Sequence, residues 1–177
     1  AQQLLAQLGG NQPWAATINQ LECPIGAMAG YGTFILDKED FDDLPEGPLE
    51  IELNDTTLLG YFVVNAQSVT RMIGSPVLVT VADRRYIWKG ISVAKTWIEE
   101  PLQDIADELF AFLPSNFDAT LTNNAADDGS AIYQGVNLLQ SLEDFGMRTG
   151  HILVFDPLED ELRFEAMWVA PADIDDD

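Results

Sequence analysis

The chain has 177 residues, of which 47% are hydrophobic, enough for a buried core in one domain or two small ones and too apolar for global disorder. Its formal charge is -22, from 30 acidic and 8 basic residues. That balance excludes a tight hold on nucleic acid or an anionic membrane, because phosphate contacts need Lys and Arg. It suits a merely soluble acidic protein, a high-salt or marine source, or a wall that nucleic acid must pass without sticking. The single cysteine, Cys23, rules out an intrachain disulfide framework and a Cys metal cluster.

The N-terminal stretch AQQLLAQLGG lacks the basic region and long apolar core of a secretory signal. It begins at Ala, which leaves trimming or truncation open. No apolar run of about 18 residues is present to span a membrane. Without export signals or disulfides, a cytosolic origin is expected.

Leu4, Leu5 and Leu8 have helical spacing and end at Gly9-Gly10, so residues 1–12 read as a short helix or a docking arm. Residues 1–32 together are expected to form an N-terminal arm. It carries Trp14 and a glycine-rich hinge or close-approach segment, Gly26–Gly32. Thr33–Leu36 reads as a strand and Asp37–Gly47 as an acidic loop. Calcium is a candidate ligand for that loop, and for Asp118–Asp128, because carboxylates cluster there. Both lack the alternating ligand spacing and central glycine of a calcium loop, and they read as solvated charge.

The stretch from Pro48 to Lys89 organises the rest. Leu49–Leu53 alternates apolar and polar, the period of a half-buried strand. Leu58–Val64 has no charged side chain and reads as a strand covered on both faces. Gly74 and Pro76 close a turn before a third strand, Val77–Val81. Asp83-Arg84-Arg85 then turns the chain into Tyr86-Ile87-Trp88, and Gly90–Ala94 adds a weakly alternating strand. Short strands joined by tight turns predict an antiparallel β-barrel or sandwich over residues 33–97.

An α+β part follows over residues 98–169, packed on or completing the barrel. Leu102, Ile105, Leu109 and Phe112 form one apolar stripe, so a helix is expected over 101–113, with Pro101 at its start. Residues 117–134 read as a polar connection. Asn137 and Gln140 have capping-box spacing ahead of a second helix, which ends at Gly150. His151–Phe155 and Leu162–Val169 are strands around the turn 156–160, with Leu162, Phe164, Ala166 and Trp168 on one face. Residues 170–177 form an acidic tail. The fold class is therefore α+β, mainly β.

Catalytic patterns are missing. The one histidine, His151, has no serine elbow or thiol motif to work with, and no phosphate loop, dinucleotide glycine pattern or zinc helix occurs. No catalytic residue, cofactor or metal ligand is assigned, and a non-enzymatic role is expected. The Asp83-Arg84-Arg85 turn has two readings: a contact for an acidic partner surface, or an Asp–Arg pair that fixes a turn. Trp14, Trp88, Trp97, Trp168 and Tyr86 are either core aromatics or stacking faces of a carbohydrate- or peptide-binding module.

The order of these elements carries a resemblance. The segments LEIELNDTTLLGYFVVNAQSVTRMIGSPVLVTVADRRYIWKG, PLQDIADELFAFLP and NLLQSLEDFGMRTGHILVFDPLEDELRFEAM, spanning about residues 48–169, resemble the N-terminal part of tailed-phage tail hub and baseplate proteins. Leu139, Leu142 and Gly150 mark the late helix of that pattern. The resemblance implies a virion structural protein, a ring-forming homo-oligomer that joins the tail tube to distal tail proteins. Its implied neighbours are tube, tape-measure, distal or fibre proteins. DNA passes it without specific binding, and it is assembled in the host cytoplasm. Another head–tail or tail connector protein is the alternative. Trp14, Gly30, Tyr31, Arg84 and Arg85 are the expected oligomer or partner contacts.

Overall fold

A computed structural model describes residues 3–8, 12–42, 48–53, 56–114 and 117–167. The chain divides into two compact units. The first comprises residues 1–24, 28–90 and 155–161, and the second comprises 25–27, 91–154 and 162–177.

The first unit is a closed antiparallel barrel. Its strands are β1 (Gln3–Leu8), β2 (Gln12–Glu22), β3 (Tyr31–Leu36), β4 (Leu49–Leu53), β5 (Thr56–Ser68) and β6 (Val77–Asp83). They run in the order β1-β2-β3-β6-β5-β4, and β1 closes the ring by pairing Leu5 with Glu52 and Ala6 with Ile51. Closure leaves no open edge among these strands, which removes the usual liability of a lone sheet. A short helix, α1 (Lys38–Asp42), follows β3.

Strand alternation sets the core. Phe34 and Leu36, Leu49 and Ile51, Leu58 and Tyr61, and Val77, Val79 and Val81 point inward, with Ile18, Leu21, Phe41 and Leu53 packed around them. Burying such side chains contributes on the order of 1.5–3 kcal/mol each. After Tyr61, β5 changes character: Val63 is exposed and residues 65–68 lie open to solvent. The expectation of a strand covered on both faces therefore holds only as far as Tyr61.

Three expectations need correction here. Residues 3–8 are a strand, because pairing with β2 on one side and β4 on the other fixes them in place of a helical turn. The stretch expected as an arm thus carries two barrel strands. Residues 85–88 are a helical turn, α2 (Arg85–Trp88). The acidic loop after Leu36 begins as α1, and its residues 43–47 lie outside the described residues.

The second unit holds a two-stranded ribbon, β7 (Ser92–Pro101) and β8 (Asp128–Asn137), two helices, α3 (Leu102–Phe110) and α4 (Leu138–Arg148), and the base of the hairpin β9 (His151–Asp156) and β10 (Glu161–Ala166). The β7 strand pairs with β8 rather than joining the barrel, and β8 replaces part of the expected polar connection. Val93, Trp97, Ile105, Leu109, Leu138, Leu142, Phe145, Leu153, Leu162 and Phe164 form the buried interior, with Phe110 and Phe164 edge to face at 5.1 Å. The end of the expected strand 162–169, including Trp168, lies outside the described residues.

Helix α3 starts at Pro101, and its first amides donate outward: Leu102 N to Asp127 O at 2.9 Å and Gln103 N to Ala125 O at 3.2 Å. Helix α4 starts at Asn137, whose Oδ1 accepts from Leu139 N at 2.9 Å and Gln140 N at 3.4 Å. Gly150, with φ +78°, ends that helix in the left-handed conformation that favours glycine. Asn137→Ala leaves those amides without their acceptor. We expect it to lower the unfolding free energy by about 1 kcal/mol in urea denaturation, with Asn137→Asp close to wild type.

Candidate functional site

The Asp83 carboxylate, at the end of β6, is buried and held by several hydrogen bonds. Asp83 and Arg85 are each 1% exposed. Asp83 Oδ2 accepts from Arg85 Nη2 at 2.7 Å and from Gly30 N at 2.6 Å, and Oδ1 accepts from Arg85 N at 2.9 Å. Arg85 Nη1 donates to Pro24 O at 2.8 Å, and the guanidinium lies 5.2 Å from the centre of the Phe155 ring. The planar fork of arginine suits this; the single ammonium of lysine would not reach carboxylate and carbonyl together. Gly30 is required here by space, since a Cβ would come within 2.6 Å of Glu22 O and 2.8 Å of Asp83 Oδ2.

Arg84 makes the second half of the turn. Its Nε donates to Asp160 Oδ1 at 2.6 Å, its Nη2 lies 2.5 Å from Asp160 Oδ2, and its guanidinium is 5.8 Å from the Phe62 ring centre. Leu59 N donates to Pro157 O at 2.6 Å, so the hairpin tip is clasped to β5 by backbone as well. Gly60, at φ +76°, leaves the space in which the Asp160 carboxylate sits. Beneath the turn, the Tyr61 hydroxyl lies 3.1 Å from Cys23 Sγ. Burial first, and then the Cys23 contact, push that hydroxyl well above the ordinary tyrosine range.

These contacts place the residues nominated from sequence. Gly30 and Arg85 meet at Asp83, Arg84 holds Asp160, and Tyr31 packs edge to face on Tyr86 at 6.2 Å. Trp14 lies in β2, its side chain outside the described residues. Asp83 and Arg85 thus pair within their own unit and fix the turn, and Arg84 pairs with Asp160 in the same unit. Trp88 and Trp97 are buried, which removes them as stacking faces for a ligand. His151 is also buried: Nδ1 lies 3.2 Å from Thr149 Oγ1, and Nε2 accepts from Thr122 N at 3.2 Å. Because an amide only donates, the hydrogen bonds assign the ring proton to Nδ1. Nε2 thus holds Thr122, and Nδ1 is held by Thr149 at the end of α4.

Two surfaces escaped the sequence reading. The first is the distal part of the β5–β6 hairpin, where Val69, Met72 and Ile73 are exposed, Met72 at 76%. The second is the outer face of the β7–β8 ribbon, where Thr96 lies opposite Ile132 and Ile98 follows; Ile98 and Ile132 are 68% and 61% exposed. The available signal was negative: no Asp or Glu occurs between Asp55 and Asp83, between Asp83 and Glu99, or between Asp128 and Glu143. In a chain this acidic, such gaps are informative.

No protein-family model and no curated protein matches the chain. Solved structures do. The chain is similar to the tail protein from Neisseria meningitidis, with TM-score 0.68 and 16% identity over 92% of this chain and 49% of that one. It is similar to the 43 kDa tail protein of prophage MuSo2 from Shewanella oneidensis, with TM-score 0.64 and 14% identity over 92% of this chain and 52% of that one. It is also similar to prophage tail protein gp18 from Listeria monocytogenes, with TM-score 0.54 and 9% identity over 94% of this chain and 51% of that one. The fold is thus shared with phage and prophage tail proteins, and the chain spans about half the length of each.

The arginine turn gives a graded prediction. Asp83→Ala strands a buried guanidinium and should lower the unfolding free energy by about 3–5 kcal/mol. The pair Asp83→Leu with Arg85→Met leaves no charge behind but strips Gly30 N, Arg85 N and Pro24 O of their partners, and should recover part of that loss. Arg84→Ala, at a partly exposed pair, should cost no more than about 1 kcal/mol. Chemical denaturation of the four proteins measures the order.

Proposed function

We propose that this chain is a non-enzymatic structural subunit of a phage or prophage tail, within a hub or baseplate ring that joins the tail tube to distal tail proteins. One observation carries the reading: the same barrel and α+β arrangement recurs over more than nine-tenths of the chain in proteins described as tail proteins. A ring repeats one protomer about an axis through head-to-tail contacts, and a barrel with no open edge is a rigid unit to repeat. The charge of -22 fits a conduit wall, because phosphates slide past carboxylates without adsorbing. In this reading the neighbours are copies of the chain together with tube, tape-measure, distal or fibre proteins. Assembly takes place in the host cytoplasm, and the mature location is the virion tail.

Assembly of so acidic a protomer works against like-charge repulsion, which salt screens: the Debye length falls from about 30 Å at 0.01 M to about 8 Å at 0.15 M. Native mass spectrometry and negative-stain electron microscopy of the purified chain should show closed oligomers whose share rises with salt over that range. A protein that stays monomeric at every concentration and ionic strength would sink the ring.

A further inference from the structure

We propose that the tip of the β5–β6 hairpin of one copy docks on the outer face of the β7–β8 ribbon of a second copy. The inference rests on the ring reading above and names the two surfaces that make it.

Charge selects the occupant. Two protomers that each carry -22 repel wherever their carboxylates face each other. Contact is least costly where the apolar centres bring no acid and any carboxylate at the rim meets a cation. Val69, Met72 and Ile73 at the hairpin tip and Thr96, Ile98 and Ile132 on the ribbon are exposed, and both patches lie in carboxylate-free stretches. One patch belongs to the first unit and the other to the second, so each copy offers one of each. A donor patch and a different receptor patch on every protomer make a heterologous contact, the kind that closes into rings.

A polar pair orients the contact. Lys38, Arg84, Arg85, Lys95, Arg148 and Arg163 each face a carboxylate within their own chain. Arg71, exposed at the hairpin tip, makes no ion pair among the described residues. At one end of the ribbon stand Glu99 and Glu100, both exposed. Glu99 is held at φ +53°, unusual for a non-glycine residue, with its amide donating to Ser130 Oγ at 3.0 Å. An uncommitted cation beside an apolar knob on one side, and two exposed carboxylates beside an apolar face on the other, give the contact a direction.

Charge reversal tests this in the full-length chain. Arg71→Glu alone, and Glu99→Arg with Glu100→Arg alone, should each weaken self-association by about tenfold or more in sedimentation equilibrium. Combining all three should restore it. Circular dichroism melts of these surface variants should match wild type, which separates lost docking from lost folding. As a second measurement, Ile73→Cys and Ile132→Cys in a Cys23→Ser background should be joined between protomers by a bismaleimide. Wild-type oligomers that form equally well with either reversal, or a triple variant that fails to recover, overturn the docking while leaving the ring intact. A wild-type chain that never associates removes the ring itself.

Discussion

Asp83 and Gly30 exchange hydrogen bonds: the Asp83 amide donates to Gly30 O at 3.1 Å, and the Gly30 amide donates to the Asp83 carboxylate. This extends the β3–β6 ladder one step past the Tyr31–Ala82 pair. It also takes a carboxylate out of water, a cost of several kcal/mol that an opposite charge together with hydrogen bonds offsets. Arg85 is that partner, and its Nη1 also donates to Pro24 O, where the chain leaves β2. Strand β6, the segments flanking β2 and β3, and the turn into α2 are all positioned by one buried ion pair. A buried pair is weak evidence for stability as such. What it supplies here is a single arrangement of three chain segments, because any other leaves a charge unpaired.

Much of the fold could be read before the structure was known, wherever short-range pattern and long-range packing agree. Alternation at Leu49–Leu53 and Val77–Val81 marks barrel strands, and the stripe Leu102, Ile105, Leu109 marks α3. The Asn137 cap was legible to the residue, because its chemistry is local. The failures share one cause. Gln3–Leu8 fits a helical stripe as well as a strand, and only its pairing with residues near 16 and 51 decides. Asp128–Asn137, interrupted by Gly129 and Gly135 and rich in small polar residues, becomes a strand because β7 offers it a ladder. Tyr86-Ile87-Trp88 has strand-like composition, yet the Asp83 carboxylate accepts the Arg85 amide and starts a helical turn.

The candidate site divided along the same line. Asp83-Arg84-Arg85 stood out in sequence because cations are scarce, and its role as a turn-fixing pair was one of two readings weighed. Its partners could not be seen, because Gly30 is 53 residues away and Asp160 is 76 residues from Arg84. The exposed patches were harder still. Motif reading looks for residues that are present, and these surfaces are defined by carboxylates that are absent.

Absence of charge is a physical feature when the background is this acidic. A uniformly acidic protein would be soluble, indifferent to nucleic acid and reluctant to touch its own copies. In the proposed role those properties suit a wall that DNA passes and conflict with assembling one. The conflict is relieved if acidity is unevenly distributed, with most carboxylates on surfaces that stay wet and those at a contact facing a cation. The hairpin tip and the ribbon face have that composition, and both present large apolar side chains to solvent that a lone soluble domain would gain nothing by exposing. The barrel core and the arginine turn fix the first unit in one arrangement. On the proposed reading, the unevenness of its charge decides where a second copy can approach.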